Sequence, residues 1–453
     1  MHRPDTHIPD PQSPDASAET HRSDVVVVGG GLAGLTAAAV AARGGASVTV
    51  LDTRRPGVRA ATTAVDPGVT FNSGPRALYL GGAMRRVLNE LGIDPSGGTP
   101  PTRGGSALRD GVLYPLPAGP ATLLRTKLLS ARSKVKVGAL LARIGAIDPA
   151  EHAQRSGTEW MVHAGLAEDA RALVAMLART ATYVADLDQL SADAMLGQMQ
   201  MALDPGVRYL DGGFQQIVDA LGADAAAHGV TVRDHVAVTA IEADPSDRAG
   251  RGGPGWQVRT GSGTWRAASV VLASGSPESV QRLSPVEVDL GGLGPAATAA
   301  CLVLAVRGPI AQPIVLGVGE SAYLSVHQPP ADLAPAGMSV LHAMRYGATE
   351  RHADEAALWR LASIGGIERD RVAAHRFLAR MVVTGGIPIA ARGGLSGRPG
   401  VRVPGADGLF LAGDWVGSEG MLADAAVSSG AVAGRAGAEI ARVARTTAGV
   451  TAG

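Results

Sequence analysis

The run Gly29-Gly30-Gly31-Leu32-Ala33-Gly34 constrains this chain more than any other segment. It satisfies G-x-G-x-x-G and stands between a β-branched run, Asp24 to Val28, and a stretch, Leu32 to Arg43, that reads as a helix stopped by Gly44-Gly45. Ala46 to Asp52 reads as a second strand, so the segment is one βαβ unit whose strands are parallel. In such a unit the first glycine permits a tight turn and the second lets the backbone approach a pyrophosphate. The third lets helix and sheet pack closely, and the helix N-terminus offers free N–H groups to phosphates. Gly29, Gly31, Leu32, Ala33 and Gly34 are thus expected at a dinucleotide. Asp52, with Thr53 beside it, ends the second strand, where a carboxylate accepts hydrogen bonds from ribose hydroxyls. Arg54 and Arg55 belong either to a solvated loop or to a 2′-phosphate site, which Asp52 would repel.

Residues 1–23 are rich in Pro, Asp, His and Ser, and are expected to be a disordered extension, not a signal peptide. Val25 to Ala42 carries no charge, but its three consecutive glycines at 29–31 favour a strand–turn–helix over a membrane span. From 83 to 204 the pattern is mainly helical, with Ala83 to Leu91, Leu123 to Ile144 and Ala167 to Leu177 as its clearest helices. Strands are expected at Val230 to Val232, Val236 to Ile241, Trp256 to Thr260 and Val270 to Ala273, then at Ala300 to Val306 and Met338 to Met344. Residues 353–380 read as helical, 409–412 as a last strand before a final helix to about 444, and 249–255 and 391–400 as surface turns. The alternation suggests a nucleotide-binding domain in three pieces, 24–82, 205–285 and 401–445. A second domain fills 83–204 and 286–400, and 446–453 is a tail.

Forty-one basic residues balance forty-one acidic ones, which argues against a nucleic-acid surface. The one cysteine, Cys301, excludes an internal disulfide or a zinc site, and no metal site is expected. It lies in an apolar run and reads as a buried strand residue; the cytoplasm is the default compartment.

Gly408-Leu409-Phe410-Leu411-Ala412-Gly413-Asp414 is a strand running into Gly-Asp, followed by a helix from about Gly420. It is similar to the C-terminal motif of the FAD superfamily that holds amine oxidases, protoporphyrinogen oxidases and phytoene desaturases. The resemblance implies FAD as cofactor, with Gly413 and Asp414 at its ribityl chain. Gly420, Met421 and Leu422 would then lie by the flavin pyrimidine edge, where a helix N-terminus stabilises the negative charge of the reduced ring. An ordinary helix cap is the alternative for Asp414, and a plain core contact for Met421 and Leu422.

Arg55-Pro56-Gly57-Val58-Arg59 stands where the family carries Gly-Gly-Arg, with one glycine replaced and Arg59 kept. Phe71 to Tyr79 resembles a segment beside the isoalloxazine ring and brings in Gly74 and Pro75. Tyr209 to Phe214 resembles the entry to the second nucleotide-domain piece. His235 to Ile241 resembles the strand that meets the adenine, with Val238 at the matching position, and Val270 to Gly275, with Ser274, resembles the Ala-Thr-Gly strand end. The implied fold is α/β: a Rossmann-like FAD-binding domain of the glutathione-reductase kind with an inserted α+β substrate domain. No cysteine stands near Gly413-Asp414, so the FAD is expected to be non-covalent.

The substrate side is less legible. Arg76 and Tyr79 fall in the ring segment, and His342, Arg345 and Tyr346 on or just beyond an apolar strand. Each is a candidate for orienting substrate, or else a structural hydrogen-bonding residue. Leu123 to Ile144 holds all three lysines and Arg125, Arg132 and Arg143. It reads as a plain surface helix or as a basic amphipathic one suited to peripheral contact with an anionic membrane. The expected reaction is removal of a hydride from a C–H bond of an apolar small molecule, in the manner of phytoene desaturases, with oxygen or another acceptor closing the cycle. Amine oxidase and porphyrinogen oxidase chemistry are the alternatives, and a non-redox escort on the same fold is the non-enzyme one.

Overall fold

The computed structural model describes residues 19–66, 68–101, 104–244 and 255–450. Strand Thr20–Val28 lies inside the first sheet, and its Val25 to Val28 are fully or almost fully buried. Strand order across this sheet is Thr231–Arg233, Val48–Leu51, Thr20–Val28, Gly263–Leu272, Trp256–Thr260 and Val238–Ala243. Leu409–Leu411 pairs in parallel with the C-terminal half of Gly263–Leu272. The strands around the Gly fingerprint are parallel, while the last two form an antiparallel arm. Three remote stretches of sequence thus share one sheet.

Side chains alternate across this sheet. Val25 and Val27 face one cluster, with Ala33, Ala37, Phe410 and Ala433. Val26 and Val28 face the other, with Trp256, Leu272 and Trp415. The first cluster is covered by two helices, Leu32–Arg43 and Leu422–Val450. Their backbones meet at glycines: a Cβ on Gly430 would overlap the carbonyl oxygen of Ala33, and one on Gly434 that of Ala37. The four-residue spacing on both helices puts these contacts on one face of each.

The second sheet has seven strands, in the order Val372–Thr384, Ala297–Arg307, Met338–Tyr346, Tyr323–Gln328, Ile314–Gly317, Ser106–Arg109 and Val112–Pro115. One face packs against helix Arg351–Ile364 through Leu302, Leu304, Leu341 and Leu358. The other faces the helices of 131–203 through Cys301, Val303, Met344 and Tyr346.

Several sequence expectations need correction. Thr20 to Ser23, assigned to the N-terminal extension, continue the first strand and pair with Thr264 to Ala267; residues 1–18 lie outside the described residues, as do 249–254 and 451–453. Of the block 353–380 only 353–364 belongs to an α-helix, Arg351–Ile364; Gly365-Gly366 stops it and Val372–Thr384 is an edge strand. Its mixture of Ala, Arg and Leu hides the period of two, and a bulge opposite Ala300 breaks the alternation. The basic stretch 123–144 is two helices, Pro120–Arg125 and Ala131–Arg143, not one. Thr126 turns extended between them, and Ser130 caps the second by accepting from Ser133 N. Leu124 and Val135 remain strongly exposed on these two helices. The final helix runs to Val450, through most of the expected tail. Segment 391–400 holds 3-10 turns and a buried Arg398, so it is not all surface. No helix among the described residues is long and apolar enough to cross a membrane.

The glycine contact between the two covering helices gives a direct test. Gly434→Val has to separate two backbones that touch, and overpacking of this kind costs about 1–3 kcal/mol or more. The expected result is a lower thermal midpoint by circular dichroism, with Gly222→Ala, whose Cβ meets nothing, as the control.

Candidate functional site

Two joined cavities lie between the sheets. The first, of about 480 Å3, begins at Asp52, Thr53, Val236 and Val238, passes Gly29, Gly31, Leu32, Ala33, Ser274 and Gly275, and ends at Arg59, Gly413, Asp414 and Leu422. The second, of about 620 Å3, shares Val58, Arg59, Arg76, Val382 and Leu422 with it and extends to Gly74, Pro75, Tyr79, Tyr183, Phe214, Met344 and Met381. Both volumes fall in the range of small-molecule sites.

The glycines of the fingerprint divide their work by geometry. Gly29 has φ +110°, and a Cβ there would collide with the carbonyl of Ala273; one on Gly34 would overlap the Gly29 carbonyl. A Cβ on Gly31 would meet nothing and would enter the cavity. Gly30 N donates to the Asp52 carboxylate, whose other oxygen accepts from Arg54 N at 2.9 Å. The next helix starts at Leu32 with no acid in its first turn, so its free N–H groups face the cavity with a partial positive charge. Ser274 Oγ, beside the Gly29 turn, is buried without a partner at the same cavity. These donors suit a diphosphate that lies across them, with an adenosine end at Asp52 and Val238.

At the far end Asp414 is almost fully buried and accepts from Arg59 Nη1 at 2.9 Å and from Gly385 N at 3.2 Å. Its backbone carbonyl lies 3.4 Å from Thr384 Oγ1 and 3.5 Å from Arg398 Nη1. Gly413 is held by Ser429 Oγ of the last helix. The replaced glycine of the Gly-Gly-Arg signature keeps the glycine backbone: Val58 has φ +38°, a strained setting for a β-branched residue. Val58→Gly should therefore raise stability by about 1 kcal/mol after the entropy cost of glycine, read as a higher denaturation midpoint.

Of the sequence candidates for the cofactor, Gly34, Gly420 and Met421 line neither cavity. Gly34 packs on the Gly29 turn, Gly420 offers its carbonyl to Arg398 at 2.9 Å, and Met421 is buried in the main core. Gly74 and Pro75 border the second cavity, not the first. Arg76 borders both; it donates to the Arg59 carbonyl at 2.8 Å and packs over the Phe214 ring. Burial and the nearby Arg59 pull its guanidinium down to about 10. Tyr79 borders the second cavity and donates its hydroxyl to the Ala181 carbonyl at 2.7 Å, and burial raises its pKa.

His342, Arg345 and Tyr346 line neither cavity, and neighbouring residues on their strand point to opposite faces. Arg345 pairs with the buried Asp354 of helix Arg351–Ile364 at 3.0 Å, behind the sheet. His342 and Tyr346 share the cavity side but lie deeper. His342 stacks edge-on against His327, and burial, with Arg76 next, holds its pKa at about 3. Tyr346 meets Tyr183 and Tyr323 edge-to-face or tilted.

Other groups at the site gave no sequence motif. Tyr183, in the left-handed region at φ +58°, borders the second cavity, as do Arg376, Arg380 and Met381 of the edge strand. Asp424, in the first turn of the last helix, borders it too and caps helix Ala83–Glu90 by accepting from Met84 N at 2.7 Å. An acid in a first helical turn was its only signal. Among the described residues, no group of three or more His, Cys, Asp or Glu is placed to hold a metal.

Burial pushes the Asp424 carboxyl up to about 7, while its bond from Met84 N works the other way. An unfolded aspartate titrates at about 3.9, so the folded protein binds the extra proton. The stability this group contributes is full below about pH 4 and is lost as pH rises through about 7. Asp424→Asn keeps an acceptor for Met84 N and removes the titration. Between about pH 5 and about pH 7.5 the wild-type melting temperature should fall more than that of the variant; parallel curves would contradict the assignment.

The model of flavin-containing amine oxidoreductases matches residues 32–436, most of the chain. Among solved structures, a wild-type putrescine oxidase bound to putrescine is 17% identical with a TM-score of 0.67, over 96% of this chain and 100% of that one. A protein from Exiguobacterium sp. 255-15 named as a protoporphyrinogen oxidase is 17% identical with a TM-score of 0.64, over 92% and 98%. RAB GDI from Plasmodium falciparum is 11% identical with a TM-score of 0.58, over 87% and 93%. At these identities the structures speak for the fold alone. No curated protein matches the sequence.

Proposed function

The chain belongs to the flavin-containing amine oxidoreductase family, and on that premise we propose that it holds FAD without a covalent bond along the first cavity. It then oxidises a C–H bond of a largely apolar small molecule in the second. The observation that carries the cofactor reading is the cradle at Gly31. The one fingerprint glycine whose Cβ would meet open space borders the same cavity as the unpaired Ser274 hydroxyl and stands at a helix N-terminus. Asp52 and Val238 lie where the adenosine would end, and Gly413, Asp414 and Leu422 where the flavin would. Cys301 is fully buried within its sheet and lines neither cavity, which supports a non-covalent complex.

Bound FAD would supply a hydride acceptor for the C–H bond, with the proton lost separately and oxygen or another acceptor as the final electron sink. The protein positions and encloses. Met84, Tyr183, Phe214, Met344 and Met381 give the second cavity an apolar wall that excludes water and favours an apolar substrate body. This wall supports a desaturase-like substrate. The intact cradle speaks against a redox-silent escort.

The test begins with colour. Purified protein is expected to be yellow and to release FAD into the supernatant on denaturation; flavin retained in the precipitate would mean a covalent bond. Gly31→Val should lose at least about nine-tenths of its flavin with an unchanged far-ultraviolet spectrum, because the side chain occupies the diphosphate path. Colourless wild-type protein after refolding with FAD would end the proposal. Anaerobic bleaching of the flavin by a panel of amines, terpenoids and porphyrinogens then ranks substrate classes.

A further inference from the structure

The second cavity is charged in one sense. Arg54, Arg59, Arg76, Arg376 and Arg380 border it against a single carboxyl, Asp424. Two of these arginines belong to the first cavity's architecture. Arg59 is paired with Asp414, and Arg54 borders both cavities beside Asp52. The other three form no direct ion pair among the described residues; Arg76 and Arg376 are half-buried, and Arg380 is exposed at the rim. Arg76 donates to a backbone carbonyl and Arg376 to Thr63 Oγ1 at 2.7 Å, both neutral acceptors. Arg380 stands at the bulge of the edge strand, where the pairing slips between Ala299 and Cys301. A bulge re-aims side chains, and here it lies on the cavity's rim.

A buried donor without a partner is an expensive arrangement. Arg76 shows the cost: its Nε is buried and unpaired, and burial lowers its pKa although the nearby Asp414 works the other way. Asp424 does not supply the missing charge, since its carboxyl is buried and spent on capping a helix. An incoming anion would supply it.

We propose that the substrate is an amphipathic carboxylate, whose anionic group is received by Arg76, Arg376 and Arg380 and whose apolar body lies on the wall of Met84, Tyr183, Phe214 and Met344. The oxidation of such a substrate rests on the flavin reading above; its recognition does not. The same arginines reject cationic amines, because an ammonium would enter among unpaired guanidiniums. This separates the chain's expected preference from that of a polyamine oxidase on the same fold.

Three matched probes test the charge: phenylbutyrate, phenylbutyramide and phenylbutylamine, titrated into the purified protein by calorimetry and, in parallel, by perturbation of the flavin absorbance. Phenylbutyrate is expected to bind at least about tenfold more tightly than the amide, with the amine weakest. Arg376→Gln and Arg380→Gln should each weaken phenylbutyrate about fivefold or more and leave the amide unchanged. Arg76→Gln should do the same, and its flavin midpoint potential is measured beside it. A shifted potential with unchanged phenylbutyrate affinity would make Arg76 a counter-charge of the flavin and overturn its assignment here. Equal or tighter binding of the amine, no binding by any probe, or glutamine variants that keep wild-type affinity would overturn the proposal. Because calorimetry does not need the flavin, a colourless protein that still ranks the probes in this order would defeat the redox reading and leave the anion site standing.

Discussion

Asp414 is the point at which distant parts of the chain are forced into one arrangement. Its carboxylate is nearly inaccessible to water and accepts from Arg59, more than three hundred residues earlier, and from the backbone of Gly385. A buried carboxylate must be paired and hydrogen-bonded, so the loop that carries Arg59 and the end of the edge strand at Thr384 cannot drift from it. The loop reaches that place through a left-handed Val58, a strain the ion pair helps to hold. Ser429 of the last helix fixes Gly413 from behind. That helix is pressed onto the fingerprint helix at Gly430 and Gly434, where the absence of side chains lets backbone touch backbone. The two Gly motifs at opposite ends of the chain are therefore one mechanical unit.

The two cavities divide the chemistry between them. The first offers backbone N–H groups, an orphan hydroxyl and one acid for an adenosine end, which together suit a long diphosphate-containing cofactor. The second offers apolar walls and three arginines, Arg76, Arg376 and Arg380, that form no direct ion pair among the described residues. Arg76 stands at the junction, its Nε unpaired. Burial there works on charge in both directions, pulling the arginine down and pushing Asp424 up.

Local chemistry was readable wherever a residue's role is fixed by its neighbours in sequence. The strand before Gly29, the helix from Leu32 to Arg43 and the strand before Gly413 follow from periodicity and from glycine's freedom. Readings failed where a segment's partner is remote. Residues 372–380 read as helix because an edge strand beside a cavity shows no clean alternation, and the identity of Val372–Thr384 comes from pairing with Ala297–Arg307. Arg345 reads from sequence like His342 and Tyr346, yet the pleat sends it to the back of the sheet, where it pairs with Asp354. The basic stretch 123–144 has the pattern of one helix; its break is held by Ser130 and Ser133 meeting Asp169.

The sequence alone determined the family of fold and the kind of cofactor cradle, since G-x-G-x-x-G between strand and helix and a Gly-Asp after a late strand are local patterns with local causes. Tertiary structure decided which charges face the cavity and which are spent elsewhere. Arg59 is neutralised by Asp414, Arg345 by Asp354, and Asp424 is turned to cap a helix. Arg76, Arg376 and Arg380 are left facing the place where substrate would lie. These pairings depend on distances in space between remote elements, which spacing along the chain does not encode.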